Sequence, residues 1–404
     1  MPAPTRSAVS LRPLLLGAGI LAVAFNLRTA ISATAPLMET IVDDTGMSNS
    51  ATGMLTTLPV ICFGLLAPLA PKLARRFGMD LTVWATMAVL ALGIVIRIAP
   101  PLTALFGGTI LIGAGIAVAN VLVPGLLKRD FPRGSGLMTG LYTVGITAGS
   151  SVAAGMTIPL QHALGLGWRG TLALWAIPAV AAVLILLPRL RTNHAGRPLR
   201  QQGSPIVLWR EPLAWQVTLF MGLQSFTFFA VMTWLPTIFI DAGMSEGRAG
   251  LMLSLTNLFG VATSFAMPIL AGRSRGQGHL VIAMIALWAT GIGGLLVAPM
   301  TGTLLWIACI GLAQGSALGI ALSMMVLRSP DASHAARLSG MAQSVGYSLA
   351  ALGPFLSGFL HDVTGTWTLA LVVPLALMAP LLVVGLGAAR DRVLGQPVPA
   401  VGVA

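Results

Sequence analysis

The sequence predicts an all-α membrane protein that crosses the lipid bilayer many times. Of its 404 residues, 56% are hydrophobic and only 8% are charged, whereas an ordinary soluble domain carries about 25% charged residues. Apolar stretches long enough to cross a bilayer recur along the chain, with short polar gaps between them. The net charge of +12 does not indicate a nucleic-acid partner, because the cations are confined to those gaps.

The apolar runs predict twelve spanning helices in two halves. The longest polar gap, residues 189–212, is expected to be a cytoplasmic linker between a six-helix half at 1–188 and a second at 213–404. The spans are expected at residues 11–37, 51–71, 79–98, 102–126, 135–160, 170–188, 213–239, 247–271, 278–298, 302–327, 336–360 and 366–388.

The cations predict the orientation of these spans, because Lys and Arg concentrate in cytoplasmic loops. Of the 23 Lys and Arg residues, 19 fall on the same side as the N-terminus, in the gaps or at the ends of the spans next to them. Only Arg97, Arg169 and Arg248 fall on the other side, and Arg28 falls within a span. Both termini are therefore predicted to be cytoplasmic.

The two halves repeat parts of their sequence. Gly46-Met47-Ser48 and Gly243-Met244-Ser245 each precede an apolar span, at an offset of 197 residues. Ser135-Gly136 and Ser339-Gly340 open the fifth and eleventh spans, at an offset of 204 residues. Two six-helix halves in parallel repeat, with a substrate site between them near the midplane, resemble the arrangement of major facilitator transporters.

Several motifs are similar to those of the cyanate and 2-nitroimidazole permeases of the major facilitator superfamily, over nearly the whole chain. They are Phe25-Asn26-Leu27-Arg28, Pro36-Leu37, Gly46-Met47-Ser48, Trp234-Leu235-Pro236 and the stretch from Met341 to Tyr347. The resemblance implies a secondary active transporter of the bacterial inner membrane that works by alternating access on a small anion or a small polar planar solute. It also implies that spans one, four, seven and ten line the cavity.

The loop between spans two and three departs from the usual superfamily pattern. Arg75 stands where an aspartate is expected, and Asp80 stands where a cation is expected. This exchange argues against the usual charge lock between helices at this loop.

Arg28 is the main candidate for substrate binding. It lies 16 residues after Arg12 and 11 before Glu39, which is about 24 Å and about 16 Å along a helix. A guanidinium at that depth is unfavourable unless it faces a cavity or a counter-charge, and it cannot deprotonate. All 11 acidic residues fall towards one membrane face or the other, so an anionic substrate would complete the charge pair. The alternative is a structural arginine held by carbonyls of a neighbouring helix.

Phe25 and Ser32 lie on the same helical face as Arg28, at positions i−3 and i+4. Ser32 is a candidate donor to the substrate, and the alternative is a hydroxyl bonded to its own helix. Asn26 points elsewhere and is expected to tie this helix to a neighbour.

Three amides occupy the other spans implied to line the cavity, namely Asn120, Gln224 and Gln314. An amide at membrane depth needs partners, so each is expected to face the protein interior. Each is a candidate binding residue, with hydrogen bonding between helices as the alternative.

Further candidates are Tyr142 on span five, Gln343 and Tyr347 on span eleven, and Phe228, which lies four residues from Gln224 and could stack on a planar substrate. Core packing is the alternative for Phe228. Asn257 in span eight is a weaker candidate.

The sequence does not indicate an enzyme, because no nucleophile with a base and no metal-ligand spacing falls within the spans. We expect a monomer that binds a small molecule without a metal or other cofactor. The alternative function is efflux of neutral or cationic drugs or metabolites, in which Arg28 would hold the fold.

Overall fold

The computed structural model describes residues 11–47, 49–190 and 207–395, and every regular element in those ranges is a helix. Most of the predicted linker lies outside the described residues. We call residues 11–190 the first half and residues 207–395 the second half. The first half contains α1 (Leu11–Ser32), α2 (Met38–Thr45), α3 (Asn49–Leu66), α4 (Leu69–Phe77), α5 (Met79–Arg97), α6 (Leu102–Asp130), α7 (Ser135–Leu164), α8 (Trp168–Leu174) and α9 (Ala176–Leu190).

The second half repeats this pattern of long helices. It contains α10 (Pro212–Asp241), α11 (Glu246–Arg273), α12 (Gly278–Val297), α13 (Thr303–Leu327), α14 (Ala332–Ala350), α15 (Leu352–Thr364), α16 (Thr368–Ala376) and α17 (Met378–Ala388). Short 3₁₀ turns lie at Ala35–Leu37 and Leu208–Arg210. Successive spans cross the bundle in opposite directions, so alternate helix ends lie at the same face. We call one of these faces the linker side; it holds the ends of α9 and α17 and the starts of α1, α5, α7, α10, α12 and α14.

Ten helices in the described ranges are long and apolar enough to cross a membrane, and the pair α3 and α4 makes an eleventh. This confirms a helical membrane protein with ten or eleven candidate spans. The predicted span at 336–360 corresponds to α14 and α15. It is not among the helices that meet this test, and α14 carries polar residues such as Arg337 and Gln343.

The second predicted span is bent rather than straight. The axes of α3 and α4 differ by 60° across the break that contains Pro68. A proline lacks the backbone N–H that continues a helix, so the break at this position has a direct cause. The bend turns α4, with Lys72 and Arg75, away from the axis of α3 on the linker side.

Buried charges join three helix ends of the first half. Arg129 makes two parallel bonds to Asp80, of 2.7 and 2.9 Å, and its Nε donates to Asp130 at 2.6 Å. Arg189 at the end of α9 pairs with both carboxylates. The expectation of no charge lock at this loop was therefore incomplete, because Asp80 takes part in a lock whose cations come from α6 and α9.

The second half has a related contact at matching positions. Gln277 lies 197 residues after Asp80, and Arg328 lies 199 after Arg129. Arg328 bonds to the Gln277 side chain and donates to the carbonyl oxygens of Ala388 at 2.8 Å and Ala389 at 3.1 Å. An amide and two carbonyls thus hold Arg328 where carboxylates hold Arg129.

A polar contact also joins helices on the far side, which lies opposite the linker side; we call it the latch. Asp44 on α2 accepts hydrogen bonds from Trp168 Nε1 at 2.9 Å and Arg169 Nη1 at 2.7 Å. The Trp168 hydrogen bond and then the Arg169 hydrogen bond hold the pKa of the Asp44 carboxyl below its ordinary value of 3.8. The latch fixes α2 against α8 within the first half.

The two halves contact each other on the linker side. Hydrogen bonds between described residues join them: Thr143 Oγ1 donates to the Ser264 carbonyl at 2.5 Å, Ser344 Oγ to the Gly64 carbonyl at 2.7 Å, and Gln343 Nε2 to the Asn120 carbonyl at 3.0 Å. Most of these groups lie between the midpoints of their spans and the linker side when α14 and α15 are taken as one span, and Gly64 lies next to the midpoint of its span. The described halves are therefore closed on the linker side.

Candidate functional site

A cavity of about 200 Å³ lies between the two halves near the midpoints of the long helices. The first half contributes residues of α1 and α7, and the second half contributes residues of α10, α11, α13 and α14. The lining residues are Arg28, Ile31, Ser32, Ile146, Thr147, Ser150, Gln224, Ser225, Phe228, Phe229, Asn257, Gly260, Ser264, Gln314, Gly315, Leu318 and Tyr347. Pockets for drug-sized ligands measure about 300–1,000 Å³, so this volume suits a smaller solute.

Arg28 lines this cavity. Its guanidinium carbon lies 5.6 Å from the centroid of the Phe63 ring, a cation–π contact across the bundle. Among the described residues, no carboxylate lies within ion-pair distance of Arg28 and none lines the cavity. The alternative of an arginine held by backbone carbonyls finds no such hydrogen bond in the described residues.

Hydroxyl groups surround Arg28 on the first half. Ser32 Oγ and Ser150 Oγ are 2.7 Å apart and join α1 to α7 on the cavity wall. Thr147 lies one turn from Ser150 and also lines the cavity. Ser32 thus bonds to a neighbouring helix rather than to its own backbone, and each hydroxyl can also donate to a solute.

Neutral amides form the opposite wall. Gln224 Nε2 donates to Ser225 Oγ at 2.7 Å, and Gln314 Nε2 donates to the Thr256 carbonyl at 3.3 Å and to Asn257 Oδ1 at 3.4 Å. The side-chain oxygens of Gln224 and Gln314 make no hydrogen bond with the described residues. These acceptors suit a solute that carries an N–H or O–H donor.

Aromatic rings complete the wall. Tyr347 lines the cavity, and its ring centroid lies 5.5 Å from that of Phe63 in the other half. Phe228 and Phe229 pack edge to face, with centroids 5.0 Å apart. Arg28, Phe63 and Tyr347 therefore form a continuous series of contacts from the cation to the seam between the halves.

Four candidate residues lie behind the wall rather than on it. Tyr142 is fully buried and donates to Asn120 Oδ1 at 3.0 Å, and Gln343 Nε2 donates to the Asn120 carbonyl. Asn120, Tyr142 and Gln343 thus form one buried network across the seam on the linker side. Phe25 does not line the cavity, and its backbone packs against Gly149 of α7, where an added Cβ would collide with the Phe25 carbonyl.

The implied choice of lining helices needs one correction. Helix α6, the fourth predicted span, contributes no described residue to the cavity wall, whereas α7 and α11 contribute three each. Asn257 on α11 lines the cavity although the sequence favours it only weakly. The sequence also gives no strong signal for Phe63, because a phenylalanine in an apolar span is indistinguishable from a core residue.

Two other predicted roles can be compared with the structure. Asn26 Nδ2 donates to the Pro178 carbonyl on α9 at 2.9 Å, which confirms that it ties the first helix to a neighbour. Arg97, which the sequence places on the side opposite the N-terminus at the end of the third span, is buried and donates to the Ala30 carbonyl at 2.9 Å and Thr34 Oγ1 at 3.2 Å. Its chain position at the end of α5 brings it back onto the end of α1.

A helical membrane protein with a small polar cavity between two bundles is the architecture of a solute transporter. Residues 20–354 match the Major Facilitator Superfamily model, and the chain belongs to this superfamily. Its family and relatives are transporters rather than enzymes.

Two relatives match over most of their length. The chain is 39% identical to the 2-nitroimidazole transporter of Escherichia coli (strain K12) over 94% of this chain and 96% of that protein. It is 27% identical to the cyanate transport protein of the same strain over 85% of this chain and 89% of that protein. These matches agree with the family resemblance carried by the Asn-Leu-Arg motif at Arg28.

A solved structure supports the fold. The proton:xylose symporter of the same superfamily, bound to 6-bromo-6-deoxy-D-glucose, superimposes with a TM-score of 0.76 at 13% identity. The match covers 96% of this chain and 98% of that chain. The protein is therefore a multi-pass membrane transporter of the major facilitator fold.

Proposed function

We propose that this chain moves a small anionic or polar planar solute across the bacterial inner membrane as a secondary active transporter. Cyanate-like ions and small organic anions are the solutes that fit the proposal best. The observation that carries it is Arg28, a permanent cation on the cavity wall with no carboxylate among the described lining residues. The names of the 2-nitroimidazole and cyanate transporters agree with a small solute whose terminal oxygen carries negative or partial negative charge.

The architecture in this proposal has twelve spans in two six-helix halves. The halves are residues 1–188 and 213–404, the linker is 189–212, and both termini are cytoplasmic. The linker side is then the cytoplasmic side, and the protein works as a monomer by rocking of the halves around the central cavity. The recurrence of the contact at Asp80 and Arg129 as Gln277 and Arg328 supports the repeat.

Arg28 would bind the negative end of the solute through two parallel hydrogen bonds. A guanidinium offers a planar fork that matches a carboxylate or nitro group, whereas an ammonium does not. A resident carboxylate would compete with the solute for this fork, and the described lining residues include none. The guanidinium therefore stays available to bind the transported anion.

The other cavity residues would set shape and polarity. Ser32 would donate to the anion beside Arg28, and Gln224 and Gln314 would accept from ring N–H or O–H groups. Phe228 and Tyr347 would cover the faces of a planar solute. Behind them, Asn120, Tyr142, Gln343 and Phe25 would hold the helices that carry these groups.

The test is uptake of [¹⁴C]cyanate and [¹⁴C]benzoate into proteoliposomes by Arg28→Ala and Arg28→Lys. A charge-assisted hydrogen bond contributes about 1.5–3 kcal/mol, so loss of two corresponds to roughly 10²- to 10⁴-fold weaker binding. Lysine should restore little of it, because it lacks the planar fork. The matched control is Arg248→Ala, an exposed cation away from the cavity.

If the Arg28→Ala variant elutes as a folded protein in size-exclusion chromatography and still takes up anions at the normal rate, the proposal is rejected. The efflux alternative makes a different prediction, because there Arg28 holds the fold: Arg28→Ala should lose stability, and the wild type should bind neutral or cationic solutes rather than anions. Screening both solute classes by thermal shift separates the two functions, since a bound solute raises the melting temperature by mass action.

A further inference from the structure

A second cavity, of about 450 Å³, opens on the linker side between the two halves. We call it the linker-side crevice. Its walls come from α4 and the preceding bend, from α14, and from the 3₁₀ turn that precedes α10. The lining residues are Pro68, Pro71, Lys72, Arg75, Leu208, Trp209, Arg337, Gly340, Met341 and Ser344.

Three cations from both halves converge on this crevice. Lys72 and Arg75 are exposed and lie three residues apart on one face of α4, and Arg337 faces them from α14. The described lining residues include no carboxylate. Arg75 is close enough to Arg337 for their charges to repel. Asp331 attracts Arg337, and its carboxylate is also hydrogen-bonded to His334 at the start of α14.

The crevice depends on closure of the halves on the linker side. Its rim is tight, because a Cβ on Gly340 of α14 would lie 3.2 Å from the Pro71 ring of α4. Closure therefore brings Arg337 towards Lys72 and Arg75, and the like charges oppose it. An anion between them would turn this repulsion into attraction.

We propose that the linker-side crevice binds a phosphate-bearing anion that bridges the halves and stabilises the conformation closed on the linker side. The exposed apolar surface beside the cations favours a lipid headgroup as the source. Trp209 is 60% exposed and Val207 is 51% exposed, and aromatic residues beside cations are typical of the headgroup region of a bilayer. Neither the transported solute nor Arg28 takes part in this site.

The first experiment measures binding without transport. The full chain is melted in phosphatidylcholine nanodiscs with and without phosphatidylglycerol, and in detergent with sodium pyrophosphate. We expect the apparent affinity for the anion to fall by about tenfold or more when any one of the three cations is replaced, since each replacement removes a charge-assisted hydrogen bond. The variants are Arg75→Gln, Lys72→Gln and Arg337→Gln. Arg76→Gln is the control, because Arg76 is exposed, stacks on Phe77 at 5.2 Å and does not line the crevice.

The melting shifts with the two anions identify the ligand of the crevice. A shift with phosphatidylglycerol alone identifies a lipid headgroup, a shift with pyrophosphate alone identifies a soluble anion, and a shift with both identifies the shared phosphate chemistry. No shift with either anion, or an equal loss in Arg76→Gln, overturns the proposal. Arg28→Ala should keep the full shift, so the proposed transport function can fail while this site stands.

The second experiment tests the effect on conformation. Ser150→Cys in a Cys62→Ala, Cys309→Ala background reports access to the central cavity by its rate of reaction with a water-soluble maleimide. Phosphatidylglycerol should increase this rate, because closure on the linker side exposes the cavity to the far side. The increase should disappear with Arg75→Gln and persist with Arg76→Gln; equal rates in both lipids would reject the bridging role.

Discussion

Adding a carboxylate beside Arg28 should weaken anion binding about 100-fold by giving the guanidinium a resident partner. Ser32 is the natural position, because it follows Arg28 by four residues on α1 and lines the same cavity. Residues at this spacing have Cβ atoms about 5–6 Å apart, so Ser32→Asp places a negative charge within reach of the fork. Ser32→Asn has nearly the same shape without the charge and serves as the control.

The magnitude follows from Coulomb's law. Two unit charges about 5 Å apart interact by roughly 3 kcal/mol at an effective dielectric constant of about 20. The new carboxylate repels an incoming anion by a similar amount, and roughly 3 kcal/mol corresponds to about 100-fold in affinity. Both variants lose the Ser32 bond to Ser150, which is 2.7 Å long, so that loss cancels in the comparison.

The assay is a binding titration of purified Ser32→Asp and Ser32→Asn with cyanate and benzoate, read as the shift in melting temperature. We expect Ser32→Asn to bind within a few-fold of wild type and Ser32→Asp to bind about 100-fold more weakly. Equal affinities in the two variants would refute the reasoning, because they would mean that the anion does not sense the charge at Arg28. A raised basal melting temperature in Ser32→Asp would show that the new ion pair forms.

Three further predictions concern the lock, the packing of α1 and the pH dependence. Asp80→Asn should destabilise the protein by about 3 kcal/mol, because Arg129 is left without its bidentate partner; chemical denaturation in detergent measures this. Gly149→Ala should cost about 1–3 kcal/mol, because its methyl group would collide with the Phe25 carbonyl, whereas Gly155→Ala on the same helix meets nothing within 4 Å. Affinity for cyanate should stay constant between about pH 6 and pH 8, because no carboxylate, imidazole or amine side chain is among the described lining residues.

Each of these predictions has a contrary result. Wild-type stability of Asp80→Asn would mean that the ion network adds nothing beyond packing. Equal stability of Gly149→Ala and Gly155→Ala would mean that α1 and α7 separate at no cost. A change in cyanate affinity of tenfold per pH unit would mean that a titrating group outside the described lining controls the site.

The sequence motifs identified the cation but not its surroundings. The depth of Arg28 and the absence of a carboxylate at that depth can be counted along the chain. The surroundings of Arg28 cannot be read in this way, because Phe63 beside it and Ser150 on the same cavity wall look like ordinary residues of apolar spans. Likewise Asn120 and Gln314 look equivalent in sequence, yet Asn120 bonds to Tyr142 behind the wall and Gln314 lines the cavity.

Composition and segment length alone determined the class of this protein. A bilayer forces every backbone group to pair within its own segment, so apolar runs of spanning length must be helices. The tertiary structure alone decided which face of each helix meets the cavity. These helices are apolar around most of their circumference, so their periodicity does not set their rotation; packing contacts such as Gly149 against Phe25 do.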